Sequence, residues 1–197
     1  KVMECNFPAI FERLAINSNY LQLKEKVEQY NALHKDRKQG LGIVPVKFGI
    51  SFTTTHMNQA SALLWIYIDG TASLTTSAVE MGQEVSTKCA TVISEILGIP
   101  FEHIRVECSN SQRVGNSSPT AASTGTDLNG NASRIAAEKI KSQLLPIAQE
   151  MLNNQEIACE LEKICFKDGT VYSSDYPEKK IEFKDLIRQA YLSRIPL

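Results

Sequence analysis

Apolar positions in the first forty residues recur at helical spacing. Asn6 is a suitable N-cap, and Pro8 is tolerated in a first helical turn. The polar run Asn17–Asn19 predicts a bend that divides this segment into two helices. We therefore predict a helical arm over residues 1–40 and a separate body over residues 41–197. The arm ends in a polar link, His34–Gly40, whose basic residues are typical of solvated surface.

From Gly42 onward the pattern becomes typical of strands. β-Branched and aromatic residues dominate Ile43–Phe52 and Ala62–Ile68. Asp69-Gly70 then predicts a tight hairpin before Ala72–Thr75. The body is therefore predicted to open with an antiparallel meander.

Two amphipathic helices are predicted next, separated by a short predicted strand, Ile104–Glu107. The first helix begins at Val85 and ends at the stop signals Gly98 and Pro100, and the second runs from about Asp127 to Glu150. Their apolar faces are formed by Val85, Cys89, Val92, Ile93, Ile96 and Leu97, and by Ala132, Ile135, Ala136, Ile140, Leu144 and Ile147.

The tail repeats the order of hairpin and helix. Leu161–Phe166 and Val171-Tyr172 are predicted strands joined by a turn at Asp168-Gly169, and a final helix carries its apolar positions at Phe183, Leu186, Ile187 and Tyr191. The predicted fold class is α+β, with an antiparallel or mixed sheet packed by amphipathic helices and an N-terminal helical arm.

Two loops rich in small residues, Glu80–Gln83 and Pro119–Gly125, each lead into a predicted helix. The N–H groups of a first helical turn and the helix dipole favour an anion, and small side chains let a ligand approach the backbone. These loops predict a site for a phosphorylated cofactor. Thr120 and Ser123 are equally suited to cap the second helix, and Gly125 and Gly130 to serve turn geometry and close packing.

Composition narrows the function classes. The 197 residues are 43% hydrophobic and carry a formal net charge of −1, so the sequence gives no indication of binding to nucleic acid or to an anionic membrane. No apolar run approaches the roughly 20 residues of a membrane span, and the first residues lack a signal-peptide pattern, so the cytoplasm is the expected location.

The cysteines and histidines predict no metal site in this chain. The five cysteines form no Cys-x-x-Cys pair, and the histidines are scattered. Cys89 and Cys165 are predicted to be reduced thiols in the core, and we assign no chemistry to any cysteine. The residues concerned are Cys5, Cys89, Cys108, Cys159 and Cys165, with His34, His56 and His103.

Several sequence blocks, in matching order and spacing, resemble the molybdenum-binding portion of the xanthine dehydrogenase and aldehyde oxidase family of molybdenum hydroxylases. The likeness is close over residues 38–145 and looser on the flanks. Several blocks in register are far more specific than a single glycine motif. The blocks are Val46–Phe52, Asn58–Ala60, Glu80–Gln83 with Thr87-Lys88, Leu97–Pro100 and Ser118–Gly130.

The resemblance implies part of an enzyme that hydroxylates a purine, hypoxanthine or xanthine, with oxygen from water at a molybdenum atom held by molybdopterin. Electrons then pass through [2Fe–2S] clusters to FAD and NAD in other domains or subunits of an oligomeric parent protein. By the same resemblance, the cofactor is lined by Met81, Gly82 and Gln83 and wrapped by Thr120, Ala121, Ala122, Ser123 and Thr124. It assigns no catalytic residue and no metal ligand to this chain.

Glu84 departs from the family pattern, which usually has a glycine at this position. A glutamate at a helix N-terminus is favoured by the dipole, and the alternative is that its bulk and charge weaken molybdopterin binding. Glu80 is expected to be a local hydrogen-bond partner and not a general base. The family's other cofactor loops and its general base have no counterpart here, so we expect a fragment that is inactive alone.

Two further hypotheses remain open. The parent protein is a molybdenum hydroxylase of another specificity, acting on aldehydes or nicotinate, or it is a binding or assembly module that has lost the cofactor. Glu84, in place of the usual glycine, would be the residue that indicates the module without cofactor.

Overall fold

A computed structural model describes residues 6–44, 46, 48–107, 109–155 and 158–197. The chain divides into two compact units, Lys1–Phe48 and Gly49–Leu197. Cys5, Cys108 and two residues of the predicted first strand, Pro45 and Lys47, lie outside the described residues. No helix of the described residues is long and apolar enough to cross a membrane.

The first unit contains a helical hairpin, with α1 at Phe7–Asn17 and α2 at Tyr20–Leu33. Pro8 lies in the first turn of α1, as predicted, while the Asn6 side chain makes no capping hydrogen bond. The predicted bend is confirmed, because Asn19 adopts a left-handed conformation with φ of 50° and separates the two helices. None of the described residues of this unit is buried.

The second unit opens with a three-stranded sheet. Its strands are β1 (Ala62–Ile66), β2 (Ala72–Thr76) and β3 (Ile104–Glu107), in the spatial order β1-β2-β3. The predicted hairpin is confirmed, since β1 and β2 are antiparallel around the Asp69-Gly70 turn. β3 is parallel to β2, because the helix α3 (Val85–Leu97) lies between them and returns the chain to the end of the sheet at which β2 begins.

The long helix α4 (Gly125–Asn153) packs against α3 and β1. Leu64, Leu74 and Ile104 project from the inner face of the sheet into the core that these helices close. Small residues on α4, among them Gly130, Ser133 and Ala137, are buried and allow a close approach to neighbouring elements.

A second three-stranded sheet and a final helix complete this unit. β4 (Ile164–Lys167), β5 (Thr170–Ser173) and β6 (Tyr176–Glu182) form an antiparallel meander, followed by α5 (Phe183–Leu192). Strand β6 was not predicted, because its sequence is polar and contains Pro177, and such a strand is tolerated only at a sheet edge.

The predicted strand Ile43–Phe52 is wrong. None of its described residues lies in a strand, and Val44, Val46 and Phe48 are exposed. β-Branched residues favour a strand only where a partner supplies backbone hydrogen bonds and covers one face, and no described strand pairs with this segment. The α+β class is confirmed, with a mixed first sheet and an antiparallel second sheet.

Candidate functional site

The first loop connects β2 to α3 and is organised by Glu80. Its Oε1 accepts hydrogen bonds from the N–H groups of Gly82 (3.1 Å) and Glu84 (3.0 Å), and its Oε2 accepts one from Ser86 (3.1 Å). The Ser86 N–H above all, with those of Glu84 and Gly82, holds the pKa of the Glu80 carboxyl below its usual value. The prediction of a local hydrogen-bonding role is confirmed. The carboxylate itself occupies the N-terminus of α3, so the predicted anion site is filled at this helix start.

Gln83 also bonds within this loop. Its Oε1 accepts from the Met81 N–H at 2.6 Å, and its Nε2 donates to the Val79 carbonyl at 2.8 Å. Its backbone carbonyl accepts from Lys88 Nζ at 3.0 Å. In this geometry the amide of Gln83 fixes the loop, and a ligand would have to compete with these bonds for it.

Glu84 is the N-cap residue of α3 and has a φ of 61°. This left-handed conformation disfavours a residue with a Cβ atom and suits glycine, which explains physically why a glycine is the expected residue here. The Glu84 side chain is exposed.

The second loop turns sharply before α4. Ala122 and Ser123 both have positive φ values, of 51° and 56°, and Thr124 is buried with its Oγ1 donating to the Ala121 carbonyl at 3.0 Å. Helix α4 has no side-chain N-cap, so the proposed capping roles of Thr120 and Ser123 are wrong. The N–H groups of Gly125, Thr126 and Asp127 make no hydrogen bond to any described residue.

A hydrogen bond joins the two loops across the sequence. The Val79 N–H donates to Thr120 Oγ1 at 2.9 Å. Behind it, Ser77 Oγ donates to Asn129 Oδ1 at 2.9 Å and so ties the end of β2 to the first turns of α4. These two bonds hold both loops close to the carboxyl end of β2, the central strand of the first sheet.

The loops line a common cleft of about 440 Å³. Five of the eight predicted site residues line it, while Gly82, Ala122 and Thr124 shape the loops without lining the cleft. Four lining residues were not among the eight predicted, namely Lys88, Gly125, Thr126 and Asp127; the signal that could have found them is their position in the first turns of the two helices. The lining residues are Met81, Gln83, Lys88, Thr120, Ala121, Ser123, Gly125, Thr126 and Asp127.

The donor set of the cleft fits an anionic, many-atom cofactor. Hydroxyl groups of Thr120, Ser123 and Thr126 lie beside the unpaired N–H groups of α4, and the positive end of a 29-residue helix favours negative charge there. Lys88 adds a positive charge, and Asp127 opposes it with a negative one. Neutral donors therefore dominate the site.

The described cysteines take no part in this cleft. Cys89 is fully buried on α3, as predicted, and burial raises the pKa of its thiol, which favours the neutral form. Cys165 is half-buried in β4 and also free.

Comparison with known proteins gives a consistent family assignment. The model of the molybdopterin cofactor-binding domain matches residues 13–197. The chain is 42% identical over 146 residues to a xanthine dehydrogenase of Calliphora vicina, covering 73% of this chain and 11% of that protein. It is 35% identical over 162 residues to a nicotinate hydroxylase of Emericella nidulans, covering 82% of this chain and 12% of that protein.

The fold has solved counterparts. A Cu,Mo-CO dehydrogenase crystal structure superposes with a TM-score of 0.73 at 24% identity, covering 96% of this chain and 25% of that one. The chain spans 10–12% of the length of the curated relatives it matches.

Proposed function

The chain belongs to the family of molybdopterin cofactor-binding domains, and from this premise we propose that it forms part of the cofactor site of a larger enzyme that hydroxylates hypoxanthine or xanthine. The observation that supports the proposal most directly is the cleft between the two loops, with three N–H groups at the start of α4 that have no partner among the described residues. Similarity to a xanthine dehydrogenase at 42% identity supports the purine as substrate.

Each part of the cleft has a proposed role toward the cofactor. The N–H groups of Gly125, Thr126 and Asp127 bind its phosphate, and the hydroxyl groups of Thr120 and Ser123 donate to its polar atoms. Ala121 leaves room for it beside the backbone, and Ala122 shapes the turn before α4. Met81, Gly82, Gln83 and Thr124 hold the loops that surround it, through the bonds within each loop.

The bound molybdenum centre would supply the oxidation–reduction chemistry, and the residues of this chain would bind and orient the cofactor. Glu80 is a poor candidate for a general base, because both its carboxylate oxygens already accept backbone N–H groups and its pKa is lowered. We therefore place the proton-transferring residue in another part of the parent protein. The iron–sulfur and FAD partners belong to other domains or subunits of the parent, which we take to be an oligomer.

The first test is the molybdenum and released pterin content of the natural full-length polypeptide. We expect both in stoichiometric amounts, and reduction of an artificial electron acceptor with hypoxanthine or xanthine. If the artificial acceptor is reduced faster with aldehydes or with nicotinate, the proposed cofactor site stands but the purine is rejected as the substrate. A parent with neither molybdenum nor pterin would contradict the proposal.

A matched pair of variants tests the cleft itself. Ser123→Leu places an apolar side chain among the proposed donors, whereas Ser142→Leu makes the same change at an exposed position on α4. We expect at least a tenfold loss of pterin in the parent carrying S123L and no loss in S142L, with equal unfolding midpoints. Equal pterin content in both would reject the assigned donors.

A second candidate, a binding or assembly module without cofactor, is favoured by one observation, the left-handed Glu84 beside the cleft. In that case the parent protein would lack pterin, and Glu84→Gly would restore binding of added cofactor. If Glu84→Gly leaves the cofactor content of a loaded parent unchanged, Glu84 has no effect on binding.

A further inference from the structure

Asn129 is a buried amide behind the cofactor cleft. It lies in the second turn of α4 and is only 6% exposed, although asparagine is a poor helix former and its amide is costly to bury. Both ends of the amide have partners: Oδ1 accepts from Ser77 Oγ at 2.9 Å, and Nδ2 donates to the Gly125 carbonyl at 3.0 Å. Because a carbonyl only accepts, the nitrogen of the amide must face Gly125, and the orientation of the side chain is fixed.

The Gly125 carbonyl belongs to the same peptide unit as the Thr126 N–H. A peptide unit is planar, and in a trans peptide its C=O and N–H groups point in opposite directions. The described residues contain no cis peptide bond. Holding the Gly125 carbonyl along α4 therefore points the Thr126 N–H toward the start of the helix, where Thr126 lines the cleft. The bond to the carbonyl also polarises the peptide and strengthens its N–H as a donor.

The Asn129 amide is anchored from two directions. Ser77 follows β2, so its bond ties the amide to the end of that strand. In the next turn of α4, the fully buried Ser133 Oγ donates to the backbone carbonyl of Asn129 at 2.8 Å. The amide cannot turn away from Gly125 without breaking a bond to Ser77, so the direction of the Thr126 N–H is set before any ligand binds.

Asn131 offers a comparison two residues later on the same helix. Its Nδ2 donates to the Asp127 carbonyl at 2.7 Å, which is also four residues earlier. The N–H of that peptide, on Leu128, is already bonded to the Thr124 carbonyl at 2.9 Å. The two asparagines make the same local bond, but only the peptide held by Asn129 has an N–H with no partner among the described residues.

We propose that Asn129 is a positioning residue for the cofactor: by holding the Gly125 carbonyl, its amide directs the Thr126 N–H into the cleft, toward the phosphate of the bound cofactor. The inference rests on the proposed function, because it takes the cleft to bind that cofactor. Asn129 does not line the cleft, so it acts on the phosphate only through this peptide. A donor that is already oriented costs little to order on binding, and its loss is expected to speed release of the cofactor.

Three variants of the full-length parent protein test this role. Asn129→Ala removes the donor to the Gly125 carbonyl. Asn129→Ser retains a donor, because a serine in a helix can donate to the carbonyl four residues earlier, as Ser133 does on α4. Both replacements remove the amide oxygen that Ser77 binds, so they differ in the bond to Gly125. Asn131→Ala is the matched control, since it removes the same kind of bond from a peptide whose N–H is already paired.

The readout is the rate at which pterin is released from each purified, loaded protein during dialysis. We expect release to be at least about tenfold faster in N129A than in the wild type, and within about twofold of the wild type in N129S and N131A. Release as fast in N129S as in N129A would assign the effect to packing and overturn the proposal. An unchanged rate in N129A, or an equal increase in N131A, would overturn it as well.

A measurement on the wild-type parent keeps the proposal testable if N129A does not fold. Amide hydrogen exchange is followed by mass spectrometry at single-residue resolution, in the loaded protein and after removal of the cofactor. The Thr126 N–H is expected to exchange at least about tenfold more slowly in the loaded protein, and the Leu128 N–H to change by less than about twofold, because it is paired in both. Equal exchange of Thr126 in the two samples overturns the proposal.

The pterin content of the wild-type parent separates this inference from the proposed function. If the wild type holds pterin and its release does not respond to Asn129→Ala, the positioning role is rejected and the proposed function stands. If the wild type holds no pterin, the proposed function is rejected, and the positioning role with it.

Discussion

At the scale of single residues, two neighbouring glutamates have opposite effects on the first loop. Glu80 accepts three backbone N–H groups and satisfies the start of α3, whereas Glu84 holds a backbone conformation that disfavours any residue with a Cβ atom. The loop therefore combines a stabilising carboxylate with a local strain four residues later.

The strain at Glu84 is measurable with two substitutions. Glu84→Gly and Glu84→Ala both remove the carboxylate, but only glycine adopts the φ of 61° without cost. We expect the free energy of unfolding of E84G to exceed that of E84A by about 1 kcal/mol in urea unfolding. Equal stability of the two variants would mean that the loop relaxes to another conformation.

The Glu80 contacts predict a dependence of stability on pH. The pKa of Glu80 is lower in the folded protein than its usual value of 4.5. The ionised carboxylate therefore stabilises the folded protein above about pH 4.5, and this stabilisation is lost as the pH falls through the folded pKa. We expect Glu80→Gln to lower the urea midpoint at about pH 7, with a difference from the wild type that shrinks in acid.

The matched control for this measurement is Glu84→Gln. The Glu84 carboxylate accepts no hydrogen bond from a described residue, so its removal is expected to give a smaller change in midpoint at about pH 7. A difference between wild type and E80Q that is constant from neutral to acid pH would contradict the assigned role.

At the scale of elements, the close contact between the end of α3 and the β4–β5 hairpin depends on Gly98. This residue is the left-handed C-cap of α3, with φ of 64°, and its carbonyl accepts the Gly169 N–H at 2.6 Å. A Cβ atom at Gly98 would lie 2.3 Å from the backbone carbon of Phe166. The backbone of the hairpin would have to move to accept it.

Gly98→Ala and Gly82→Ala separate this overlap from backbone strain. Both glycines have positive φ, but a Cβ atom at Gly82 would have no neighbour within 4 Å. We expect G82A to lower the free energy of unfolding by about 1 kcal/mol and G98A by at least about 3 kcal/mol, in chemical denaturation. Similar losses of unfolding free energy in both variants would show that the backbone of the β4–β5 hairpin moves at little cost to accept the Cβ atom.

At the scale of the whole molecule, the apolar core lies within one unit. Among the described residues, every buried hydrophobic residue falls between Leu64 and Ala190, and none in Lys1–Phe48 is buried. The second unit therefore contains the interactions that hold its own fold, including both loops of the candidate cleft.

Removal of residues 1–48 tests this division. We expect the chain 49–197 to fold cooperatively, with a free energy of unfolding within about 0.5 kcal/mol of that of the second unit in the whole chain. Circular dichroism during urea unfolding measures it. A loss of several kcal/mol would show that the first unit contributes to the core of the second.

The cofactor residues show how far the sequence prediction extends. Small residues and hydroxyl groups before a helix indicated an anion site at Pro119–Gly125, and the free N–H groups of α4 agree with it. At Glu80–Gln83 a local hydrogen-bonding role was predicted for Glu80, but the same loop pattern also predicted an anion site at a helix N-terminus that the Glu80 carboxylate itself fills. Both loops fit the same local pattern, and whether the helix N-terminus is open or filled depends on the direction of the Glu80 side chain.

Periodicity, turn residues and motif order are local properties of the chain, and they were sufficient to predict the helices, the β1–β2 hairpin, the α+β class and the family. Three features follow only from the three-dimensional fold: the described residues of Ile43–Phe52 form no strand, the polar β6 is a strand, and the Val79 N–H donates to Thr120 Oγ1 between the two loops. These features depend on partners distant in sequence, since a strand needs a neighbouring strand to pair with and a hydrogen bond needs both a donor and an acceptor.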